Sequence, residues 1–100
     1  MSEWTIVLNV HMEAAVGREK DLERELSALV APTRSEAGCL TYELHRDPDH
    51  PGKFMFYEKF KNQAALDEHV NAPYFKDFLN YRAKGDPVAV TTVTRWRVVD

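Results

Sequence analysis

Hydrophobic and polar positions alternate in four stretches of the chain, and each stretch predicts a β-strand. In the first stretch Ile6, Leu8 and Val10 recur at every second position among β-branched residues. The loop of residues 47–52 holds two prolines, a glycine and two aspartates, so the second and third strands should form a hairpin. The four predicted strands cover residues 4–12, 39–46, 54–60 and 88–99.

A charged segment between the first two strands carries one apolar stripe at helical spacing. The stripe predicts an amphipathic helix over roughly residues 17–35. Gly38 follows at a position where the end of a helix favours a residue with positive φ. The stripe consists of Leu22, Leu26, Leu29 and Val30.

A second helical region follows the hairpin. Asn62 suits the N-cap of a helix that runs to Val70, and Pro73 suits the first turn of another that ends at about residue 83. The order of elements is then strand, helix, two strands, helix and strand. This is the βαββαβ order of a ferredoxin-like α+β fold with a four-stranded antiparallel sheet, and we expect residues 1–100 to form one such domain.

The third predicted strand is apolar on both of its faces. Phe54, Phe56 and Phe60 share one face, whereas Met55 and Tyr57 share the other. Both helical regions of this fold cover the same side of the sheet, so the other side is left as a large apolar patch. Packing against a second copy under two-fold symmetry covers that patch most simply. We therefore expect a homodimer with sheet packed on sheet.

Composition excludes several classes of protein. The net charge is −3 with both signs interspersed, so no basic surface is available to bind nucleic acid. The single cysteine, Cys39, excludes an internal disulfide and a cysteine-based zinc site, and the four histidines lack metal-ligand spacing. We expect no metal. No long apolar run suggests a membrane span or a leader, so we expect a cytoplasmic protein.

Two polar residues stand out because of their neighbours. Glu58 falls on the aromatic face of the third strand, where burial of a carboxylate raises its pKa. His69 shares a helical stripe with Leu66 and Val70. Together they suggest an imidazole oriented by a carboxylate, an arrangement suited to acid–base catalysis. Each residue also has an alternative interpretation. In the alternatives, Glu58 reaches solvent or forms a structural ion pair, and His69 has its hydrogen bonds satisfied within the core.

The register of the hairpin decides which side chains accompany Glu58. One register places it with Tyr42, and a slip by one residue places it with Thr41 and Glu43 instead. We predict the first, because it groups Tyr42 and its alternating leucines, Leu40 and Leu44, with the phenylalanines of the third strand.

Other side chains are candidates for contacts with a ligand. Asn9 interrupts the apolar first strand and can hydrogen-bond a substrate oxygen, although a structural amide is equally consistent with the sequence. Arg95 and Arg97 are consistent with exposure to solvent, with a salt bridge across the dimer or with a contact to an anionic substrate. The chain has more aromatic side chains than a core of this size needs, and such side chains can bind a planar aromatic ligand. Those that we expect to bind it are Tyr42, Tyr74, Phe75 and Phe78.

Three segments together resemble the antibiotic biosynthesis monooxygenase domain. They read E-A-G-C-L-T-Y-E-L-H-R-D-P at 36–48, F-M-F-Y-E-K-F at 54–60 and A-L-D-E-H-V-N-A-P-Y-F-K-D-F at 65–78. The family is a dimeric α+β barrel family that includes small quinol monooxygenases, and the resemblance covers almost the whole chain.

The resemblance implies a cofactor-independent oxygenase that acts on a small electron-rich aromatic such as a quinol, with O₂ and without metal or flavin. It implies a pocket between the sheet and the helices of each subunit. His69 matches the motif histidine and is the expected base or proton shuttle. Glu58 matches a strand glutamate that orients it, and Asn9 matches a first-strand position that faces the pocket in some members.

Two other functions fit the same residues. An isomerase acting on a small carbonyl or phosphorylated compound would use His69 and Glu58, with Arg95 or Arg97 on the anion. A dimer that binds a small molecule without catalysis is the other alternative. Haem-degrading relatives carry a haem-ligating histidine where this chain has Leu79, so the resemblance does not extend to haem degradation. A pocket of tyrosine and phenylalanine favours an aromatic substrate, whereas converging arginines favour a phosphate.

Overall fold

The computed structural model describes residues 4–99, within which four strands form one antiparallel sheet in the order β2-β3-β1-β4. The predicted ferredoxin-like α+β fold is confirmed. The first strand begins two residues later than predicted, and the last strand ends at Arg97 rather than at residue 99. The elements are β1 (Ile6–Ala14), α1 (Glu19–Arg34), β2 (Cys39–Arg46), β3 (Lys53–Phe60), α2 (Gln63–Val70), α3 (Pro73–Lys84) and β4 (Val88–Arg97).

The connection from α1 to β2 brings helix α2 close to the sheet. Helix α1 ends at Arg34 and is capped by Ser35 in a right-handed conformation. Gly38 does not have a positive φ, so the prediction for this residue is wrong. Gly38 is required for another reason, since a Cβ there would lie 2.3 Å from the Cβ of Ala65. This close approach seats α2 against the start of β2, and it carries His69, one turn after Ala65, towards the residues that precede Gly38.

The hairpin has the register that places Tyr42 directly opposite Glu58, as predicted. One extra residue of β2 lies between Cys39 and Thr41, where the ladder has a bulge. The extra residue is Leu40, which is 57% exposed rather than grouped with Tyr42 as alternation predicts. The bulge thus removes one leucine from the core and leaves the pairing of Tyr42 with Glu58 intact.

All three helices pack on one face of the sheet. The buried leucines of α1, Leu22, Leu26 and Leu29, join Phe56 and Phe78 in a single hydrophobic core. Helix α2 begins where predicted, because the Asn62 side chain accepts a hydrogen bond of 2.9 Å from the backbone N–H of Ala65. Within the described chain, no helix is long and apolar enough to span a membrane.

Candidate active site

A cavity of about 390 Å³ lies between the sheet and the helices. Its walls are mostly aliphatic and aromatic, and Tyr42 and Phe56 stack within it with ring centroids 4.5 Å apart. Phe75 and Phe78 also line it. Tyr42, Phe75 and Phe78 are among the rings that the sequence predicts to bind a ligand, whereas Phe56 is not among them. The polar residues among the lining are Tyr42, Glu58, His69, Arg82, Thr91 and Arg95.

Glu58 presents a buried carboxyl group to this cavity. The residue is 5% exposed, and its carboxyl makes no hydrogen bond or ion pair with residues 4–99. Burial, together with the nearby carboxylate of Glu36, raises the pKa of Glu58 to about 7. The predicted burial is therefore confirmed, and the group is poised to exchange a proton near neutral pH.

His69 lies over the same part of the sheet. It is 2% exposed, and its ring centroid is 5.0 Å from that of Phe60, 5.0 Å from that of Phe75 and 5.4 Å from that of Tyr42. Nδ1 lies 3.0 Å from Oε2 of Glu36, while Nε2 makes no hydrogen bond within residues 4–99. Because a carboxylate oxygen only accepts, we assign the hydrogen to Nδ1 and a free lone pair to Nε2.

The carboxylate that holds His69 is Glu36, so the prediction that Glu58 orients the histidine is wrong. Glu36 lies in the loop between α1 and β2, 33 residues before His69, and no periodic pattern marks it. The hydroxyl of Tyr74 donates to the same Oε2. Tyr74 therefore contacts Glu36 and does not line the cavity, contrary to its predicted role as a substrate-binding residue.

Asn9 faces away from the cavity. Its neighbours Leu8 and Val10 both line it, and successive residues of a strand point to opposite faces. Asn9 instead pairs with Tyr57 and Thr94 on the face without helices, so its predicted contact with a substrate in this cavity is wrong.

The two arginines of the lining already have partners. Arg82 forms two hydrogen bonds of 3.0 and 2.9 Å with the carboxylate of Asp86, and Arg95 donates to the side-chain oxygen of Gln63. Arg97 lies over the ring of Trp4 and is not part of the lining. In the described part of the chain, no three His, Cys, Asp or Glu side chains cluster as metal ligands do.

The cavity, its histidine and its carboxyl group belong to segments that match a known family. The profile of a family described as antibiotic biosynthesis monooxygenase matches residues 5–81. The chain belongs to the antibiotic biosynthesis monooxygenase family. The resemblance of the three sequence segments is thus confirmed, and both His69 and Glu58 lie within the matched range.

Relatives support this membership in sequence and in structure. The protein Rv0793 of Mycobacterium tuberculosis, provisionally named a monooxygenase, is 41% identical over 73 residues, which are 68% of each chain. Its structure superposes with a TM-score of 0.82 and 30% identity over 96% of both chains. The crystal structure of PA3566 from Pseudomonas aeruginosa gives a TM-score of 0.91 and 33% identity over 100% of this chain and 99% of that one.

One relative in the family is much longer than this chain. The protein sll1783 of Synechocystis is 40% identical over 63 residues, which are 59% of this chain. The match spans 43% of the Synechocystis protein.

Proposed function

We propose that the chain is a cofactor-independent monooxygenase that oxidises a small electron-rich aromatic compound, such as a quinol or an anthrone, with O₂. One observation carries the proposal. The carboxyl group of Glu58, which is buried and has no hydrogen-bond partner among residues 4–99, shares an apolar cavity with His69. The Nδ1 of this histidine is already held by a second carboxylate, that of Glu36. Membership of a monooxygenase family supports the oxygen chemistry.

His69 acts as the base in this proposal. Its Nε2 lone pair accepts a proton from the hydroxyl or activated C–H group of the substrate. The resulting anion is rich enough in electrons to pass one to O₂, which gives a substrate radical and superoxide. These two combine into a peroxide on the substrate carbon.

Glu58 acts as the acid. His69 first returns its proton to the peroxide anion and so becomes a free base again. Glu58, with a pKa of about 7, then supplies a proton to the departing hydroxide while His69 removes the remaining hydrogen of the former CH₂ carbon of an anthrone, which becomes C=O. Transfer of that proton from His69 to Glu58 restores both groups. The balance is CH₂ + O₂ → C=O + H₂O. One oxygen atom enters the product, the other leaves as water, and the substrate supplies all four electrons. The apolar walls exclude bulk water from the intermediates.

An aromatic substrate fits the lining better than a phosphorylated one. The cavity walls offer the stacked pair Tyr42 and Phe56 together with further rings. The guanidinium group of Arg82 is bound to Asp86, and that of Arg95 is turned to Gln63. An isomerase that acts on a phosphorylated compound needs a free anion site at this cavity, so this form of the alternative is the weaker candidate.

Oxygen uptake tests the proposal. Wild type would be assayed with a panel of hydroquinones and anthrones, with autoxidation subtracted, beside the double variant Glu58→Gln/His69→Ala and the control His50→Ala in the exposed hairpin loop. We expect uptake by wild type and the control, and none by the double variant. Equal uptake in all three would show that the site is wrong. Binding of a panel compound by calorimetry without any uptake would favour the non-enzymatic alternative.

We also infer that the working unit is a homodimer. The sheet face opposite the helices carries Tyr57 and Met55 half-buried, and Trp96 and Val90 are 58% and 47% exposed. An apolar face of this kind is costly in water, and a second copy covers it under two-fold symmetry. Sedimentation at micromolar concentration is expected to give twice 11.5 kDa, about 23 kDa. A mass of 11.5 kDa in the wild type would contradict the dimer, and Trp96→Glu should shift the dimer towards monomer.

A further inference from the structure

Glu36 is held in an unusual way for a residue of a loop. Its Oε2 accepts from Nδ1 of His69 at 3.0 Å and from the hydroxyl of Tyr74. Its Oε1 is buried and has no hydrogen-bond partner within residues 4–99. One oxygen of this carboxylate is therefore doubly bound, while the other is left desolvated.

A purely structural role accounts poorly for this arrangement. Burying a carboxylate with an unsatisfied oxygen is unfavourable, and a neutral side chain of the same shape avoids much of that cost. Unsatisfied buried polar atoms are uncommon in native proteins, and a catalytic role is one of the reasons that account for them. The carboxylate is also aimed at the ring of the histidine that faces the cavity, rather than at an arginine or lysine.

We propose that Glu36 is a positioning residue of this site, which fixes the Nδ1–H tautomer of His69 and so presents the Nε2 lone pair to the cavity. Tyr74 assists by anchoring the carboxylate from helix α3. This proposal deepens the proposed function and rests on it for the catalytic consequence, whereas the tautomer itself is a property of the protein without substrate.

The consequence for catalysis follows from charge. When Nε2 takes a proton from the substrate, the ring becomes a cation beside a desolvated carboxylate, which stabilises it more strongly than water would. In Glu36→Gln, the neutral amide has nearly the same shape as the carboxylate and keeps a hydrogen-bond acceptor, but it does not stabilise the imidazolium cation in this way. Binding of the substrate does not involve Glu36, so the effect should fall on kcat rather than on KM.

Glu36 also affects the pKa of Glu58, the carboxyl group that faces the cavity. The charged and titratable groups around Glu58 are Tyr42 and Cys39 on β2, His69 on α2, Arg82 on α3, Arg95 on β4 and Glu36 itself. Among them the carboxylate of Glu36 raises the pKa of Glu58. Removing its charge should lower that pKa from about 7 towards the ordinary value of 4.5.

The test uses the full chain labelled with ¹⁵N, in the variants Glu36→Gln, Glu36→Ala and Tyr74→Phe. The exposed Glu68→Gln on α2 is the matched control. In wild type and the control, the ring shifts of His69 should show hydrogen on Nδ1 alone, and Tyr74→Phe should let a small share of the Nε2–H tautomer appear. In Glu36→Ala, and in part in Glu36→Gln, the Nε2–H tautomer should appear. A ring that keeps hydrogen on Nδ1 alone in both Glu36 variants would overturn the proposal, whether or not oxygen uptake is ever observed.

Kinetics and pH dependence give the second readout. With a substrate found by oxygen uptake, Glu36→Gln should lose about tenfold to 100-fold in kcat, with KM within about twofold of wild type. The pH at which activity declines as Glu58 ionises should fall below the wild-type value. An unchanged kcat together with an unchanged midpoint would contradict the positioning role, even in a folded variant with an altered tautomer.

Discussion

The Glu58→Gln variant is expected to be more stable than wild type at pH 8, and this advantage should shrink by about 3 kcal/mol as the pH falls to 4. Glu58 is buried without a hydrogen-bond partner in the described chain, and its pKa is about 7 instead of the ordinary 4.5. The folded state therefore binds more protons than the unfolded state between these two values, so wild-type stability falls as the pH rises through them. Below pH 4.5 both states are protonated and the penalty is absent.

Urea unfolding at pH 4, 6 and 8 measures this effect. The free energy of unfolding of wild type minus that of Glu58→Gln should become more negative as the pH rises. The control Glu68→Gln, which replaces an exposed carboxylate of α2, should show no such trend. Parallel pH profiles for wild type and Glu58→Gln would contradict a raised pKa for Glu58 and would weaken its assignment as the acid.

Replacement of His69 by alanine is expected to lower kcat for oxygen uptake by about 10²- to 10⁴-fold, the usual contribution of a general base. The variant removes the Nε2 lone pair and leaves space beside Phe60 and Phe75, whose rings contact the imidazole. Added imidazole should enter that space and restore part of the rate. Rescue of this kind separates a chemical role from a structural one, because it does not repair a misfolded chain.

The rate of oxygen uptake by His69→Ala, measured with and without added imidazole, tests both the loss of activity and its rescue. The control His50→Ala removes an exposed histidine of the hairpin loop and should retain the wild-type rate. A His69→Ala variant that keeps more than about a tenth of the wild-type rate would contradict the role of His69 as the base. Circular dichroism of each variant would check that the chain remains folded.

Local signals were enough to predict most of the fold. Alternation predicts residues 39–46 as a strand, which is the observed β2, and the cap at Asn62 marks the start of α2. Gly38 shows where local reasoning fails. Its need for glycine arises from the approach of Ala65, a contact between distant parts of the chain that no nearby residue signals.

The site was predictable only where polar residues interrupt an apolar pattern. Glu58 and His69 do so, and both line the cavity. Glu36 lies in a loop among other polar residues and meets His69 only through the packing of α2 on the start of β2, so nothing in the sequence singles it out. The error at Asn9 was avoidable, because alternation already places it opposite Leu8 and Val10.

The proposed substrate class rests on the cavity as a whole more than on any single residue. Aliphatic and aromatic side chains make up most of its walls, and its two arginines are engaged with Asp86 and Gln63. The chemistry assigned to this cavity needs a base, an acid and a dry aromatic surface, which His69, Glu58 and the aromatic walls supply. We therefore predict that oxygen from O₂, rather than from water, enters the product.

Labelling with ¹⁸O₂ tests this prediction most directly. An anthrone that supports oxygen uptake would be incubated with wild type under ¹⁸O₂, and the product would be analysed by mass spectrometry after subtraction of the enzyme-free reaction. We predict one ¹⁸O atom per product molecule with wild type and none above background with Glu58→Gln/His69→Ala. Unlabelled product from wild type, or equal labelling in the double variant, would contradict a monooxygenase reaction at His69 and Glu58.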